Sequence, residues 1–272
     1  MIRAPATAKL NLALVAGPVR ADGKHEVTTV LQRIDLGDRI ALEPAERLRV
    51  VGFPEDTLVE RALGLLAGAA GVEPRWVARI WKSIPVAAGL GGGSSDAATA
   101  LLLANSTLSQ PLPSVELAGL AASLGADVPF FLTSGPQLGE GDGTILSPLS
   151  LPQDYWVVLL LPNGERKGST AAVYDAFDER GGAAGYDGRR AELLAAIGRV
   201  RRPSELTALP PNDLRSSPQA AELLAAGAFR ADVSGAGPAV YGLFRRRDRA
   251  EAARRQLAAR GPTWLTVPTW YG

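Results

Sequence analysis

Two sets of residues in this chain have the types and spacing for phosphate chemistry. The first is the run Ile84-Pro85-Val86-Ala87-Ala88-Gly89-Leu90-Gly91-Gly92-Gly93-Ser94-Ser95-Asp96, which leads into the helix-forming stretch Ala97 to Ala104. Glycines take positive φ and let backbone approach a ligand with no Cβ in the way. Successive N–H groups can then form an anion nest, to which a following helix adds its partly positive N-terminus. The second set is Lys9 and Asn11. Two residues apart on a strand, they share one face, so an ammonium and an amide lie side by side.

The glycine run has several possible readings. A Walker A loop needs Gly-Lys-Ser/Thr, and none of the lysines (Lys9, Lys24, Lys82, Lys167) supplies it. The dinucleotide fingerprint fails in register at Ser94, and no ribose-binding acid is obviously placed downstream. A purely structural role for so many glycines is disfavoured by their unfolded-chain entropy. Phosphate binding is the expectation, aided by the Ser-Ser-Asp helix start, with Asp96 expected in the first turn.

Asp127, between Gly125 and Pro129, has two readings. It could cap a short segment beginning near Val128, or act as a general base that takes a hydroxyl proton late in phosphoryl transfer. Lys9 could be an ordinary strand lysine, and His25 a turn-flanking histidine. Ser234-Gly235-Ala236-Gly237 reads as a tight turn whose small residues serve close packing. The arginines between 245 and 260 read as a solvated helix face.

Composition narrows the field. The chain has 272 residues, 46% hydrophobic and 21% charged, which suits a globular protein with ample core in one large domain or two ordinary ones. A net charge of +1 gives no reason to expect nucleic acid or an acidic membrane as partner. With no cysteine there is no disulfide, thiol nucleophile or thiolate metal site. A single histidine, His25, excludes a His-rich metal site, and Glu26 after it excludes a protein-kinase catalytic loop. No Gly-x-Ser-x-Gly elbow occurs. The N-terminus lacks an apolar signal-peptide core and no apolar stretch is long enough to span a bilayer, so a cytoplasmic location is expected.

The elements that must position these residues follow from periodicity. Ala8 to Leu14 alternates as a strand, with Ala8, Leu10, Leu12 and Leu14 on the apolar face. After a turn at Arg20 to Gly23, strands are predicted at Val27 to Leu31, Asp38 to Leu42 and Leu48 to Val51. A helix from Leu58 to Ala70 stops at Gly71, and Trp76 to Trp81 is a strand feeding the glycine run. Helices follow at Ser94 to Ala104 and, capped by Ser114, up to Leu124. The Pro/Ser-rich stretch Leu146 to Pro152 is the candidate boundary before a strand at Tyr155 to Leu161. Arg180 to Arg190 reads as a mobile loop. Helices near Arg190 to Val200, Ala220 to Ala226 and Arg247 to Arg260 surround a strand, glycine turn and strand from Phe229 to Phe244. Mixed elements without strict βαβ alternation predict an α+β fold in two lobes.

Together, Ala8-Lys9-Leu10-Asn11-Leu12, the Pro85 to Ser95 loop and Val233-Ser234-Gly235-Ala236-Gly237 resemble the GHMP kinases, a superfamily of small-molecule kinases. Arg20-Ala21-Asp22-Gly23-Lys24-His25-Glu26, Leu124-Gly125-Ala126-Asp127-Val128-Pro129-Phe130-Phe131 and Asn212-Asp213-Leu214 are similar to the branch acting on a cytidine diphosphate derivative of methylerythritol. The resemblance implies an S5-like N-terminal lobe (residues 1–150, ATP-binding), a ferredoxin-like C-terminal lobe (residues 151–272) and substrate in the cleft between them. It implies ATP and Mg2+ as cofactors, with unknown metal ligands, and phosphorylation of the substrate's 2-hydroxyl in non-mevalonate isoprenoid synthesis.

On the same resemblance Asp127 and Lys9 match the catalytic pair, Lys9 keeping Asp127 ionised and stabilising charge on the hydroxyl oxygen. Asn11 is a polar neighbour of substrate, His25 and Tyr174 contact and stack on cytosine, and Thr170 lies beside that pocket. Pro85 to Ser95 is the ATP-phosphate loop. Lys24 stands where the family often has tyrosine, which leaves Tyr174 as the expected stacking partner. A GHMP kinase for another alcohol, or a non-catalytic nucleotide-binding regulator on the same fold, are the alternatives.

Overall fold

A computed structural model describes residues 1–53, 57–165 and 169–269, so Lys167 lies outside the described residues. Contacts divide the chain into two compact units: Met1–Ala8 with Leu36–Val86 and Gly91–Ser134, and Lys9–Asp35 with Ala87–Leu90 and Gly135–Gly272.

Both units share two long strands, β1 (Ile2–Val19) and β2 (His25–Pro44), which pair with each other. Two separate strands were expected within β2. Asp35 to Asp38 looks like a break by composition, yet the backbone runs on, and a Cβ on Gly37 would lie 3.1 Å from the Ala6 carbonyl oxygen. Gly37 admits the neighbouring strand instead of turning the chain.

In the first unit β3 (Arg49–Val51) lies parallel to β4 (Trp76–Trp81), which pairs antiparallel with β2 from Arg39↔Trp81 to Pro44↔Trp76. Helix α1 (Thr57–Ala70) ends at Gly71, which takes φ +64° as a C-terminal stop. It packs on α2 (Gly92–Asn105) and α3 (Ser114–Leu124). Ala97, Ala98, Ala100, Leu101 and Ala104 of α2 are fully buried, so this helix is covered on most sides and small side chains let its neighbours close in. Ser114 does not cap α3; Pro113 holds that position with no side-chain bond, and Ser114 is the first helical residue.

In the second unit the hairpin β5 (Gln137–Glu140) and β6 (Ile145–Pro148) adds to β2 at Thr29↔Gly139. A four-stranded antiparallel sheet is built from β7 (Trp156–Leu160), β8 (Arg230–Val233), β9 (Val240–Phe244) and β10 (Thr263–Thr266), in the order β10-β7-β9-β8. Between β7 and β8 run α4 (Thr170–Glu179), α5 (Tyr186–Ile197) and α6 (Pro218–Ala225), and α7 (Arg247–Leu257) joins β9 to β10. Helices α6 and α7 pack on the sheet, burying Leu223, Ala250, Ala253 and Leu257 against Val158, Val240 and Phe244. This is the ferredoxin-like arrangement.

The span expected as a mobile loop, Arg180 to Arg190, is half helix. Tyr186 starts α5 and its hydroxyl lies 2.9 Å from Thr28 Oγ1. Arg189 donates to the carbonyls of Ala16 (3.0 Å) and Gly182 (2.8 Å). Glycine and arginine read as solvated loop by composition, but here the guanidinium closes the turn. The arginines of α7 do face solvent, paired as Arg246–Asp248 and Arg247–Glu251. No described helix is long and apolar enough to cross a membrane.

Candidate active site

In the second unit the alternation of β1 places Lys9 and Asn11 together, and both are buried, at 4% and 3% exposure. Lys9 Nζ donates to Asn11 Oδ1 at 2.7 Å. Asn11 Nδ2 donates to Thr29 Oγ1 (2.8 Å), which in turn donates to the Ala13 carbonyl (2.7 Å). That relay fixes which way the amide points, so Oδ1 must face the ammonium. A buried ammonium is costly unless hydrogen-bonded, and few surface lysines are held so. The solvated-strand reading of Lys9 is removed.

The middle of the glycine run is bonded to the same strand. Lys9 N–H donates to the Leu90 carbonyl (2.9 Å), and Ala239 N–H to that of Ala88 (3.0 Å). Ser234 Oγ accepts from Asn11 N–H (3.3 Å) and donates to the Gly89 carbonyl (3.0 Å). Gly89 has φ +83°, and a Cβ there would fall well inside contact with the Ser234 carbonyl oxygen. Gly235, at φ +56°, would set a Cβ 3.1 Å from Asn11 Oδ1 and 3.3 Å from Lys9 Nζ. The small residues of the Ser234–Gly237 turn do serve close packing, and what they pack against is Gly89, Lys9 and Asn11.

The rest of the run belongs to the first unit. Helix α2 begins at Gly92, two residues earlier than expected, with Gly91 (φ 72°) as its N-cap and no side-chain capping bond. The first intrahelical bond runs from Ser95 N–H to the Gly91 carbonyl, 2.9 Å. Helix geometry leaves the N–H groups of Gly92, Gly93 and Ser94 without intrahelical acceptors, and these residues are half-buried. A helix start with unpaired N–H groups generally favours anions. Pro85 is half-buried, while Val86 and Ala87 are exposed, Ala87 at φ 56°.

Asp96 is not in the first turn. It is the fifth residue of α2, fully buried, and its Oδ2 accepts from Lys82 Nζ at 2.7 Å. Lys82 also bonds Asp38, whose Oδ1 accepts the N–H groups of Ser83 (2.5 Å) and Ile84 (2.8 Å). Burial alone would lower the Lys82 pKa, but its hydrogen bonds to Asp38 and Asp96 outweigh that and raise it. Its ammonium lies 3.3 Å from where a Cβ on Gly92 would sit, a fixed cation at the helix start. Sequence reasoning missed this cluster because its partners are scattered; an Asp near a strand start and a Lys closing another were its only signals.

Asp127 also lies in the first unit, half-buried in the turn after α3. The 3-10 segment Pro129–Leu132 takes Val128 as N-cap, with no side-chain capping bond. Asp127 precedes that N-cap by one residue.

At the start of β2, the His25 ring stacks on Tyr174 of α4 with centroids 4.5 Å apart and planes at 22°. Phe177 meets His25 edge-on at 6.0 Å, and His25 Nε2 lies 2.9 Å from Asp178 Oδ1. Thr170 opens α4, exposed, one turn before Tyr174 and on its side of the helix. Lys24 is drawn to the β5–β6 turn, its Nζ 2.5 Å from Asp142 Oδ2. Burial would raise the Asp142 pKa, but Lys24 and Thr144 hold it below the ordinary carboxylate value.

Comparison with known proteins identifies the family. Residues 57–135 match the family described as "GHMP kinases N terminal domain", and residues 216–263 match "GHMP kinases C terminal". The 4-diphosphocytidyl-2-C-methyl-D-erythritol kinase of Geobacter sulfurreducens is 38% identical over 279 residues, covering 96% of each chain. That of Anaeromyxobacter sp. is 38% identical over 267 residues, covering 93% of this chain and 85% of its own. A crystal structure of 4-(cytidine 5'-diphospho)-2C-methyl-D-erythritol kinase superposes with TM-score 0.81 at 31% identity, covering 100% of both chains. The mevalonate kinase of Methanococcus jannaschii, at 12% identity and TM-score 0.73, shares the fold. The chain belongs to the GHMP kinases, and among them to the 4-diphosphocytidyl-2-C-methyl-D-erythritol kinase family.

Proposed function

We propose that this chain transfers the terminal phosphoryl group of ATP to the 2-hydroxyl of 4-diphosphocytidyl-2-C-methyl-D-erythritol, within non-mevalonate isoprenoid synthesis. The observation that carries the reading is the buried Lys9 ammonium, aimed by Asn11 and bonded through its backbone to the glycine run. Phosphoryl transfer asks a protein mainly to position groups and stabilise charge. Lys9 stabilises negative charge at the acceptor oxygen, and Asp127 takes the hydroxyl proton. Pro85 to Ser95 receives the triphosphate on backbone N–H groups and the α2 N-terminus. Asn11 orients substrate beside Lys9, while His25, Tyr174 and Thr170 hold the cytosine by stacking and hydrogen bonding.

Magnesium commonly accompanies ATP, bound by phosphate oxygens, water and one or two carboxylates. Among the described residues no group of three or more His, Asp or Glu side chains could hold a metal.

The test is ADP release with the cytidylyl substrate, run beside mevalonate and homoserine. Turnover confined to the cytidylyl substrate is expected. Preference for another alcohol would replace the substrate assignment, and ATP binding without turnover of any alcohol would leave only a nucleotide-binding regulator.

A further inference from the structure

Asn212 sits in the Pro210–Asp213 turn, far in sequence from Lys9, yet it holds the backbone against which Lys9 rests. We infer that Asn212 is a positioning residue for the Lys9–Asn11 pair, acting through the carbonyl and α-carbon of Gly235. The inference rests on the assignment of Lys9 to the reaction.

The Asn212 amide is buried and fully used. Its Nδ2 donates to the carbonyls of Gly235 (2.6 Å) and Val233 (3.0 Å), and its Oδ1 accepts from Leu214 N–H (2.9 Å). Only an amide offers two donors and an acceptor in one short plane. A carboxylate would face two carbonyl oxygens with no proton to give. The backbone on either side is equally fixed. Asn212 N–H donates to Asp232 Oδ2 (2.9 Å), and Asp213 N–H donates to the Leu14 carbonyl (2.9 Å).

These bonds close a ring. From Leu14 on β1 the path crosses to residues 212–213, then through the amide to Gly235. From Gly235 it returns to β1, because that residue lies so near the pair that a methyl on it would sit 3.1 Å from Asn11 Oδ1 and 3.3 Å from Lys9 Nζ. Without the amide, the Gly235 carbonyl loses its 2.6 Å bond to Asn212. The 2.7 Å bond between Lys9 and Asn11 then loses its backing wall.

The test is steady-state ADP-release kinetics with thermal midpoints for Asn212→Ala, Gly235→Ala, Asp213→Asn and Lys9→Met. Asp213→Asn is the structural comparator, since Asp213 Oδ2 binds Ala16 N–H (3.0 Å) and Arg189 Nε (3.1 Å) instead of the turn. Asn212→Ala should lose about tenfold to a hundredfold in kcat, the scale of a small misplacement of reacting groups. KM for ATP should stay within about threefold, and Asp213→Asn should keep kcat within about twofold at a comparable midpoint loss. Equal kcat in the Asn212 and Asp213 variants overturns the inference. Should Asn212→Ala not fold, Gly235→Ala decides, because it presses a methyl onto the pair with Asn212 intact; wild-type kcat there also overturns it. Wild-type kcat in Lys9→Met removes the Lys9 assignment and the inference with it. An inactive Lys9→Met beside a fully active Asn212→Ala removes the inference alone.

Discussion

At the scale of single residues, chemistry and packing separate cleanly. Val128, not Asp127, is the N-cap residue of the 3-10 segment that follows. We expect Asp127→Asn to keep ATP affinity, read by calorimetry, while kcat falls by about 10²–10⁴, the usual contribution of a general base. Gly89 is the opposite case, a residue with no functional group whose replacement should still be severe. Gly89→Ala adds a Cβ at φ +83° against the Ser234 carbonyl, so the loop must move. Its KM for ATP should rise at least tenfold, on the order of 1.4 kcal/mol; an unchanged KM would mean that the loop does not need this apposition. That Lys9 and Asn11 lie together was legible from the period-2 pattern, because a strand puts such residues on one face, while their roles came only from the family resemblance. Asn212 was visible only as part of the Asn212-Asp213-Leu214 motif of the resemblance, and its contacts were not, since its acceptors lie more than twenty residues away.

At the scale of elements, the sequence was read best where one pattern dominated. Trp76–Trp81 and the Gly71 stop of α1 came out as expected. The β5–β6 hairpin was not foreseen, because Gln137-Leu138-Gly139-Glu140 and Ile145-Leu146-Ser147-Pro148 are short and carry glycine and proline. An edge strand tolerates Pro148, which has no N–H to donate. The start of α2 was placed too late because the serines were taken as its beginning, while two glycines precede them inside the helix. That start depends on Lys82. Replacing it by methionine strands two fully buried carboxylates, Asp38 and Asp96, at a cost of about 3–5 kcal/mol in urea denaturation. The pH dependence has a definite sign. The Lys82 pKa is raised on folding, so its stabilisation is complete below the unfolded value of about 10.4 and is lost as pH climbs through the folded one. Wild-type stability should therefore fall in that alkaline window, and Lys82→Met should lack this component.

At the scale of the whole molecule, bonds that are remote in sequence hold the second unit together. The guanidinium of Arg230, 7% exposed, donates to the carbonyls of Leu12 (2.6 Å), Leu206 (3.0 Å), Leu209 (2.6 Å) and Pro210 (2.9 Å). Tyr241 donates its hydroxyl to the same Leu12 carbonyl at 3.2 Å. No local signal marks an arginine in β8 as a core residue, and composition alone would place it outside. Arg230→Met leaves several carbonyls unpaired in the interior and should cost roughly 3–5 kcal/mol by chemical denaturation. A loss under about 0.5 kcal/mol, typical of a surface substitution, would show that water replaces the guanidinium. Contacts of such long sequence separation also predict slow folding, because distant segments must meet before any of these bonds forms.

What a Cβ on Gly89 would strike is the main-chain carbonyl oxygen of Ser234, an atom that no side-chain change at position 234 removes. In a selection for revertants of a Gly89 substitution, trimming the Ser234 hydroxyl leaves that carbonyl in place. Second-site suppressors should be absent from position 234, and restored growth should come only from true reversion to glycine.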